Sequence, residues 1–264
     1  MFGEDKRKYR GRIAPTPSGF LHAGHAKTFR TAWQRAREAG GTLIYRNDDL
    51  DPQRSKTVYV EAAMEDLKAL GIDWDEGPDL GGPCTPYNQS SRGRYYLKAW
   101  CKLLTAGCIY PCNKSRKEIA DVGVLSNDQE EYIYPSEFRP HLNTAEFKNP
   151  GSMNWRFRVP EDCKVILDDI CCGRQEFQGG ADFGDFLVWR KDGTASYELA
   201  TVVDEISMAI TEVVRGADLL KSTARQCLVF EALGRPIPRF YHCSLLLGPD
   251  GKKLSKSQRL LGPS

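Results

Sequence analysis

The sequence predicts an α/β fold carrying a small inserted subdomain, and three observations lead there. Between residues 10 and 46 a strand, a Pro/Gly loop, a helix and a second strand follow one another, which is a βαβ unit. From residue 110 to 160 the hydrophobic periodicity weakens in polar stretches such as SNDQEEY and HLNTAEFKN, which marks an insertion. Beyond it, strand–helix alternation resumes. The expected division is a first half of the main domain at 1–109, an inserted subdomain at 110–160, and a second half at 161–264.

Taken in order, residues 10–14 (RGRIA) suit a short strand, and 25–38 (HAKTFRTAWQRARE) have helical composition and stop at Gly40-Gly41. Residues 42–46 (TLIYR) are β-rich. Ser55 is placed to cap a helix whose apolar stripe is Val60, Met64, Leu67 and Leu70, ending at Gly71. Residues 72–88 read as loop and 90–106 as helix. After the insertion, Lys191-Asp192-Gly193 is a turn between apolar runs. Helix 198–208, strand 210–214 and helix 217–233 follow, the last closed by Gly234 with Pro236 beyond.

A chain of 264 residues can bury a sizeable core, and its 27% charged residues nearly balance to a net charge of +2. Contact with a polyanion must therefore come from a local patch rather than a global field. There is no apolar run of about 18 residues, and the opening MFGEDKRKYRGR has no signal-peptide pattern, so no membrane partner and a cytoplasmic location are expected. Most of the nine irregularly spaced cysteines then read as free thiols, and the adjacent Cys171 and Cys172 suit neither an ordinary disulfide nor a zinc knuckle.

Residues 15–25 (PTPSGFLHAGH) leave a strand and open a helix, so backbone N–H groups and the helix dipole favour an anion there, and phosphate is a common one. Gly19 and Gly24 allow close approach, Pro15 and Pro17 keep the segment extended, and His22 and His25 offer two imidazole donors. Taken alone, the stretch is equally a plain connecting loop, or half of a metal site through H-x-x-H. GPDGKKLSKS at 248–257 offers a second glycine-bounded loop with three lysines, otherwise a solvated basic turn.

RIAPTPSGFLHAGH (12–25) resembles the first signature of class I aminoacyl-tRNA synthetases in its glutamyl form, and KKLSKS (252–257) resembles the second. YRNDDLDPQR (45–54) and the segment 197–226 resemble the amino-acid-binding segments of glutamyl enzymes, in the family's order. The resemblance, which covers about residues 10 to 257, implies a Rossmann-like doubly wound parallel sheet, the family's catalytic domain, with a small inserted α/β subdomain. It implies use of ATP with Mg²⁺, the ion held mostly by phosphate and water. His22 and His25, with Pro15, Thr16, Gly19 and Gly24, would meet the nucleotide from one side, and Lys253 and Lys256 would close from the other as a lid. Arg12 and Arg215 belong to the set that binds glutamate's carboxylates, with Ala14 and Thr16 beside them, Tyr197 supplying a hydroxyl and Asp48 at the amine-binding position. Without the resemblance, the two arginines read as surface ion pairs.

The resemblance is nearest to short members of the family, in which activated glutamate passes to queuosine in the anticodon of tRNA(Asp). A chain ending at Ser264 is not expected to read an anticodon as longer members do. The expected partners are L-glutamate and a tRNA anticodon loop, bound by a monomer. Arg92, Arg94, Lys98, Lys114, Arg116 and Lys117 are candidates for a basic rim.

Two departures stand out. Asp48 occupies a position that is glutamate in the family pattern, withdrawing the charge by one methylene. Many short members also hold zinc through Cys-x-Cys and Tyr-x₃-Cys, whereas here Cys112 and Tyr134 are kept but Lys114 and Phe138 replace the other two thiolates. No zinc is expected; packing of Phe138, Tyr132 and Tyr134 is expected instead. These departures keep two other functions open: a weakened nucleotide- or tRNA-binding module, and an adenylating enzyme using another amino acid or a small acceptor.

Overall fold

A computed structural model describes residues 8–140 and 147–246. Strand β1 (Arg10–Ile13) pairs in parallel with β2 (Thr42–Tyr45), and helix α1 (Ala23–Glu38) crosses between them. Late in the chain β8 (Glu212–Gly216) and β9 (Arg239–Cys243) form a second parallel pair, connected by α6 (Leu220–Ala232). The two pairs lie side by side: Thr211 N donates to Arg10 O at 2.9 Å, and Arg12 Nη1 to Val214 O at 2.7 Å.

Successive side chains on a strand point to opposite faces, and both faces here are covered. Leu43, Tyr45 and Val214 pack with α1 residues Phe29, Ala32 and Ala36 and with Leu67 of α2 (Thr57–Ala69). Ile44 and Val213 turn the other way, onto α3 (Gly93–Thr105), α5 (Tyr197–Ser207) and α6. Helices on both sides of a parallel sheet make the arrangement doubly wound, as the sequence predicts.

Several helix starts differ from expectation: α3 and α6 each begin three residues late, after a single 3-10 turn. α1 begins earlier, at Ala23, with His22 rather than His25 at its boundary. α2 is entered from Lys56 without a side-chain cap, while the Ser55 hydroxyl is buried without a partner, so the stripe placed this helix and the serine did not. Strands β5 (Lys164–Asp169) and β6 (Gly173–Gln178), an antiparallel hairpin, and strand β9 have no counterpart in the sequence reading.

The insertion opens with β3 (Ile109–Cys112) and α4 (Arg116–Val122), which Ser115 and Glu118 cap reciprocally. β3 pairs with β4 (Asn154–Phe157), and β4 in turn with β7 (Phe186–Trp189), so strands from both sides of residue 160 share one antiparallel sheet. Asp185 holds this region together. Its buried carboxylate accepts from Tyr110 OH at 2.5 Å, Arg139 Nε and Nη2 at 2.8 and 2.7 Å, and Val159 N at 2.8 Å.

The four zinc-related positions converge, and what converges is one thiol, one phenol, one ammonium and one phenyl ring. Cys112 Sγ lies 3.4 Å from Tyr134 OH, Tyr134 and Phe138 meet edge to face with centroids 5.9 Å apart, and Lys114 Nζ stands 4.6 Å from the Phe138 ring centroid. Two of the four positions have lost their thiolate, and one of these, Lys114, bears a positive charge instead, so the donor set does not fit zinc. Tyr132 does not join this packing, being 45% exposed.

The hairpin reaches the parallel sheet through Asp169. Its carboxylate accepts from His242 Nδ1 at 2.6 Å and from the amides of Cys171, Cys172 and His242. Burial, aided by the charge of Arg215, pushes the His242 pKa down to about 4, so the folded ring is neutral.

Replacing Asp185 with alanine leaves the Arg139 charge without its partner and is expected to cost about 3 to 5 kcal/mol in urea denaturation, with Asp185→Asn milder. His242 binds a proton more readily unfolded than folded. Its contribution is therefore complete above about pH 6.5 and is lost as pH falls towards 4, about 3 kcal/mol in all. Denaturation curves between pH 7 and 4.5 should fall less steeply with pH in His242→Gln than in the wild-type chain.

Candidate active site

A cavity of ≈ 220 Å³ opens at the C-terminal ends of the parallel strands, where loops leave β1, β2, β8 and β9. Such a position collects side chains from several strands at one point. Arg12, Ala14, Pro15 and Thr16 come from β1 and its loop, His22, Gly24 and His25 from the start of α1, Asp48 from beyond β2, Tyr197 from α5 and Arg215 from β8. Gly19 is not on the wall. Lys253 and Lys256 lie outside the described residues.

The mouth of α1 differs from a bare helix N-terminus. Gly24 N donates to His22 Nδ1 at 3.1 Å, and His22 N donates to His25 Nδ1 at 3.3 Å. Each ring accepts at Nδ1, which fixes its proton on Nε2. The rings stack with centroids 3.8 Å apart. The backbone amides are therefore partly engaged by the histidines, and imidazole N–H groups stand beside the cavity. A Cβ added at Gly24 would lie 2.9 Å from His22 Cε1, so glycine is what permits this ring position.

Arg12 and Arg215 are not the surface ion pairs that they read as without the resemblance. Arg12, Arg46, Arg92 and Arg215 are each 5% exposed or less. Arg12 Nε donates to Glu205 Oε1 at 3.2 Å. Arg46 Nε and Nη2 donate to the two oxygens of Asp48 at 2.6 and 3.1 Å, and Arg92 Nε donates to Asp204 at 2.5 Å. Arg92 is accordingly removed from the candidate basic rim, where Arg94, Lys98, Arg116 and Lys117 are exposed and Lys114 is half-buried. Burial raises the Asp48 pKa against the opposing charge of Arg46.

Arg215 is different, since among the described residues it forms no ion pair. Its Nε donates to His242 Nε2 at 3.3 Å, Nη2 to Thr223 Oγ1 at 2.5 Å and Gln226 Oε1 at 2.8 Å, and Nη1 to Tyr197 OH at 3.4 Å. It is held by neutral acceptors, so no carboxylate cancels its charge.

The supporting shell was missed in the sequence: Arg46, Asp169, Glu205, Thr223, Gln226 and His242. One signal was available. Glu198, Thr201, Asp204 and Glu205 sit at helical spacing in α5, a helix buried on every side from Glu198 to Glu205. Polar residues on such a helix need internal partners. No comparable signal marked Asp169 or His242. Among the described residues there is no group of three or more His, Cys, Asp or Glu able to hold a metal, and no helix long and apolar enough to cross a membrane.

Comparison with known proteins accords with this geometry. The family model "tRNA synthetases class I (E and Q), catalytic domain" matches residues 8–261. The chain is 45% identical over 251 residues to a glutamyl-Q tRNA(Asp) synthetase of Symbiobacterium thermophilum, covering 93% of this chain and 77% of that one. It is 42% identical to a protein of the same name from Nitratidesulfovibrio vulgaris, covering 96% and 79%. The crystal structure of glutamate-tRNA synthetase from Elizabethkingia anophelis superposes with a TM-score of 0.81 at 32% identity, covering 95% of this chain and 53% of that one, so the chain spans about half of that structure. Fold, site geometry and sequence thus agree: the chain belongs to the class I tRNA synthetases of the E and Q group, and the matched region is their catalytic domain.

Proposed function

We propose that the chain activates L-glutamate with ATP and transfers it to queuosine in the anticodon of tRNA(Asp). The observation that carries this reading is a single cavity in which two buried guanidinium groups, Arg12 and Arg215, stand with the Tyr197 hydroxyl, the Asp48 carboxylate and a stacked imidazole pair. Two cations suit a ligand with two carboxylates, an acid suits its ammonium, and imidazole N–H groups suit phosphate oxygens. The names of the Symbiobacterium and Nitratidesulfovibrio relatives support glutamate and tRNA(Asp) as substrates.

In this reaction the α-carboxylate oxygen attacks the α-phosphorus of ATP, and the bond to the bridging oxygen breaks to release pyrophosphate. Mg²⁺ would accompany ATP and supply charge neutralisation at its phosphates, with none of the described residues assigned to it. A hydroxyl of queuosine then attacks the activated carbonyl and AMP departs. No protein nucleophile is needed, so the chain's task is positioning and charge stabilisation. His22, His25 and Gly24, with Pro15 and Thr16, are assigned to the nucleotide, and Lys253 and Lys256 to its other side. Arg12, Ala14, Thr16, Asp48, Tyr197 and Arg215 are assigned to glutamate.

The exposed Arg94, Lys98, Arg116 and Lys117 are the proposed contacts for the anticodon loop of a monomeric enzyme. Nine cysteines without a disulfide among them suit the reducing cytoplasm. A second reading draws on Asp48, which stands one methylene short of the family's glutamate and has both oxygens engaged by Arg46, and it assigns the pocket to another amino acid.

Pyrophosphate exchange with a panel of amino acids, with and without tRNA, distinguishes these. Glutamate is expected to drive exchange and then to label queuosine-containing tRNA(Asp); no glutamate-dependent exchange even with tRNA present overturns the proposal, and exchange with another amino acid supports the second reading. Arg215→Lys keeps the charge but loses the planar fork, and should raise the KM for glutamate about 30-fold, the equivalent of about 2 kcal/mol.

A further inference from the structure

We propose that Asp169 and His242 act as a positioning relay that fixes the Arg215 guanidinium on the substrate carboxylate, so that the β5–β6 hairpin governs affinity for the amino acid without touching it. The inference rests on the proposed glutamate-binding role of Arg215 and adds residues that do not wall the cavity.

Proton accounting fixes the direction of the relay. Arginine has no acceptor, so the 3.3 Å contact from Arg215 Nε requires a lone pair on His242 Nε2, and the Thr223 hydroxyl, 2.8 Å from the same nitrogen, then donates to it as well. The ring proton must then sit on Nδ1, where Asp169 accepts it at 2.6 Å. Asp169 is in turn pinned by the amides of Cys171 at 2.9 Å and Cys172 at 2.7 Å, at the turn joining β5 to β6. Ile170 N donates to Phe240 O at 3.0 Å and clamps the same turn to β9. Register completes the geometry: Arg215 and His242 are direct partners in the parallel β8–β9 pair.

Arg215 carries five N–H groups, and the bonds to His242, Thr223, Gln226 and Tyr197 use four of them. Nη1 shares its partner Tyr197 with the cavity wall, so its second N–H is the one left for a ligand oxygen. Fixing Nε and Nη2 from behind sets the direction of that N–H. Because His242 is neutral, this support leaves the positive charge of Arg215 intact. A carboxylate in direct contact would not.

The two amide variants separate positioning from bulk. Gln at 242 can place its carbonyl where Nε2 lies and accept from Arg215, whereas Asn reaches only to the Nδ1 position, towards Asp169. In glutamate-dependent pyrophosphate exchange by the full chain, His242→Asn is expected to raise the KM for glutamate about tenfold with the KM for ATP unchanged, and His242→Gln to recover most of the loss. Should His242→Asn fail to fold, by circular dichroism and gel filtration, Thr223→Val removes another acceptor from Arg215 and should give the same glutamate-selective rise. An unchanged glutamate KM in the folded variant, or equal rises for glutamate and ATP, overturns the relay. Absence of glutamate-dependent exchange in the wild-type chain overturns the proposed function instead.

Discussion

Burying positive charge beneath a ligand pocket is the constraint around which this structure is organised. Four arginines have almost no access to solvent, Arg12 and Arg215 on the cavity wall and Arg46 and Arg92 behind Asp48 and Asp204, and an isolated buried guanidinium is strongly unfavourable. Three are satisfied by carboxylates: Arg12 by Glu205, Arg46 by Asp48 and Arg92 by Asp204. Asp204 also accepts from Gln89 Nε2 at 2.8 Å and Tyr96 OH at 3.0 Å, so one carboxylate of α5 fastens the entry to α3 and α3 itself beneath the sheet. The pocket floor and the packing of α3 on α5 are thus one network.

Arg215 is the exception, and the exception suits a site. Arg46 and Arg92, held closely by carboxylates, have little attraction left for an incoming anion, whereas Arg12 meets Glu205 through Nε alone at 3.2 Å, and Arg215, surrounded by an imidazole, a hydroxyl and an amide, keeps its field. Second neighbours supply negative charge at a distance: Asp169 behind His242, and Glu198, which accepts from Gln226 Nε2 at 2.9 Å. The charge is stabilised enough to be buried without being cancelled.

How much of this could be read from the sequence followed from how local the signal was. The βαβ opening, the Pro/Gly loop and the two late helices announced themselves through periodicity and punctuation within a few residues. Residues projecting from the strand ends and loops into the cavity were found because they sit inside four ordered motifs. Asp169 and His242 were not, because a contact across 73 residues leaves no local trace, and a histidine in the strand RFYHC reads as one more half-buried side chain. Arg92 was misjudged for the same reason, since its partner lies 112 residues away. Around Cys112 the sequence did better. The exchange of two thiolates for Lys114 and Phe138 was visible, and the positions meet as expected, although Tyr132 stays outside.

The absence of a side chain at Gly24 carries a consequence for how this loop can drift. The His22 ring, stacked on His25, lies where a substituent at 24 would begin, while its neighbour Ala23 belongs to the ordinary first turn of a helix. Mutational tolerance in the two middle positions of HAGH is therefore lopsided. Any change at the third letter of that tetrapeptide must displace the His22 ring, and with it the stack on His25, whereas a change at the second meets only the first turn of the helix.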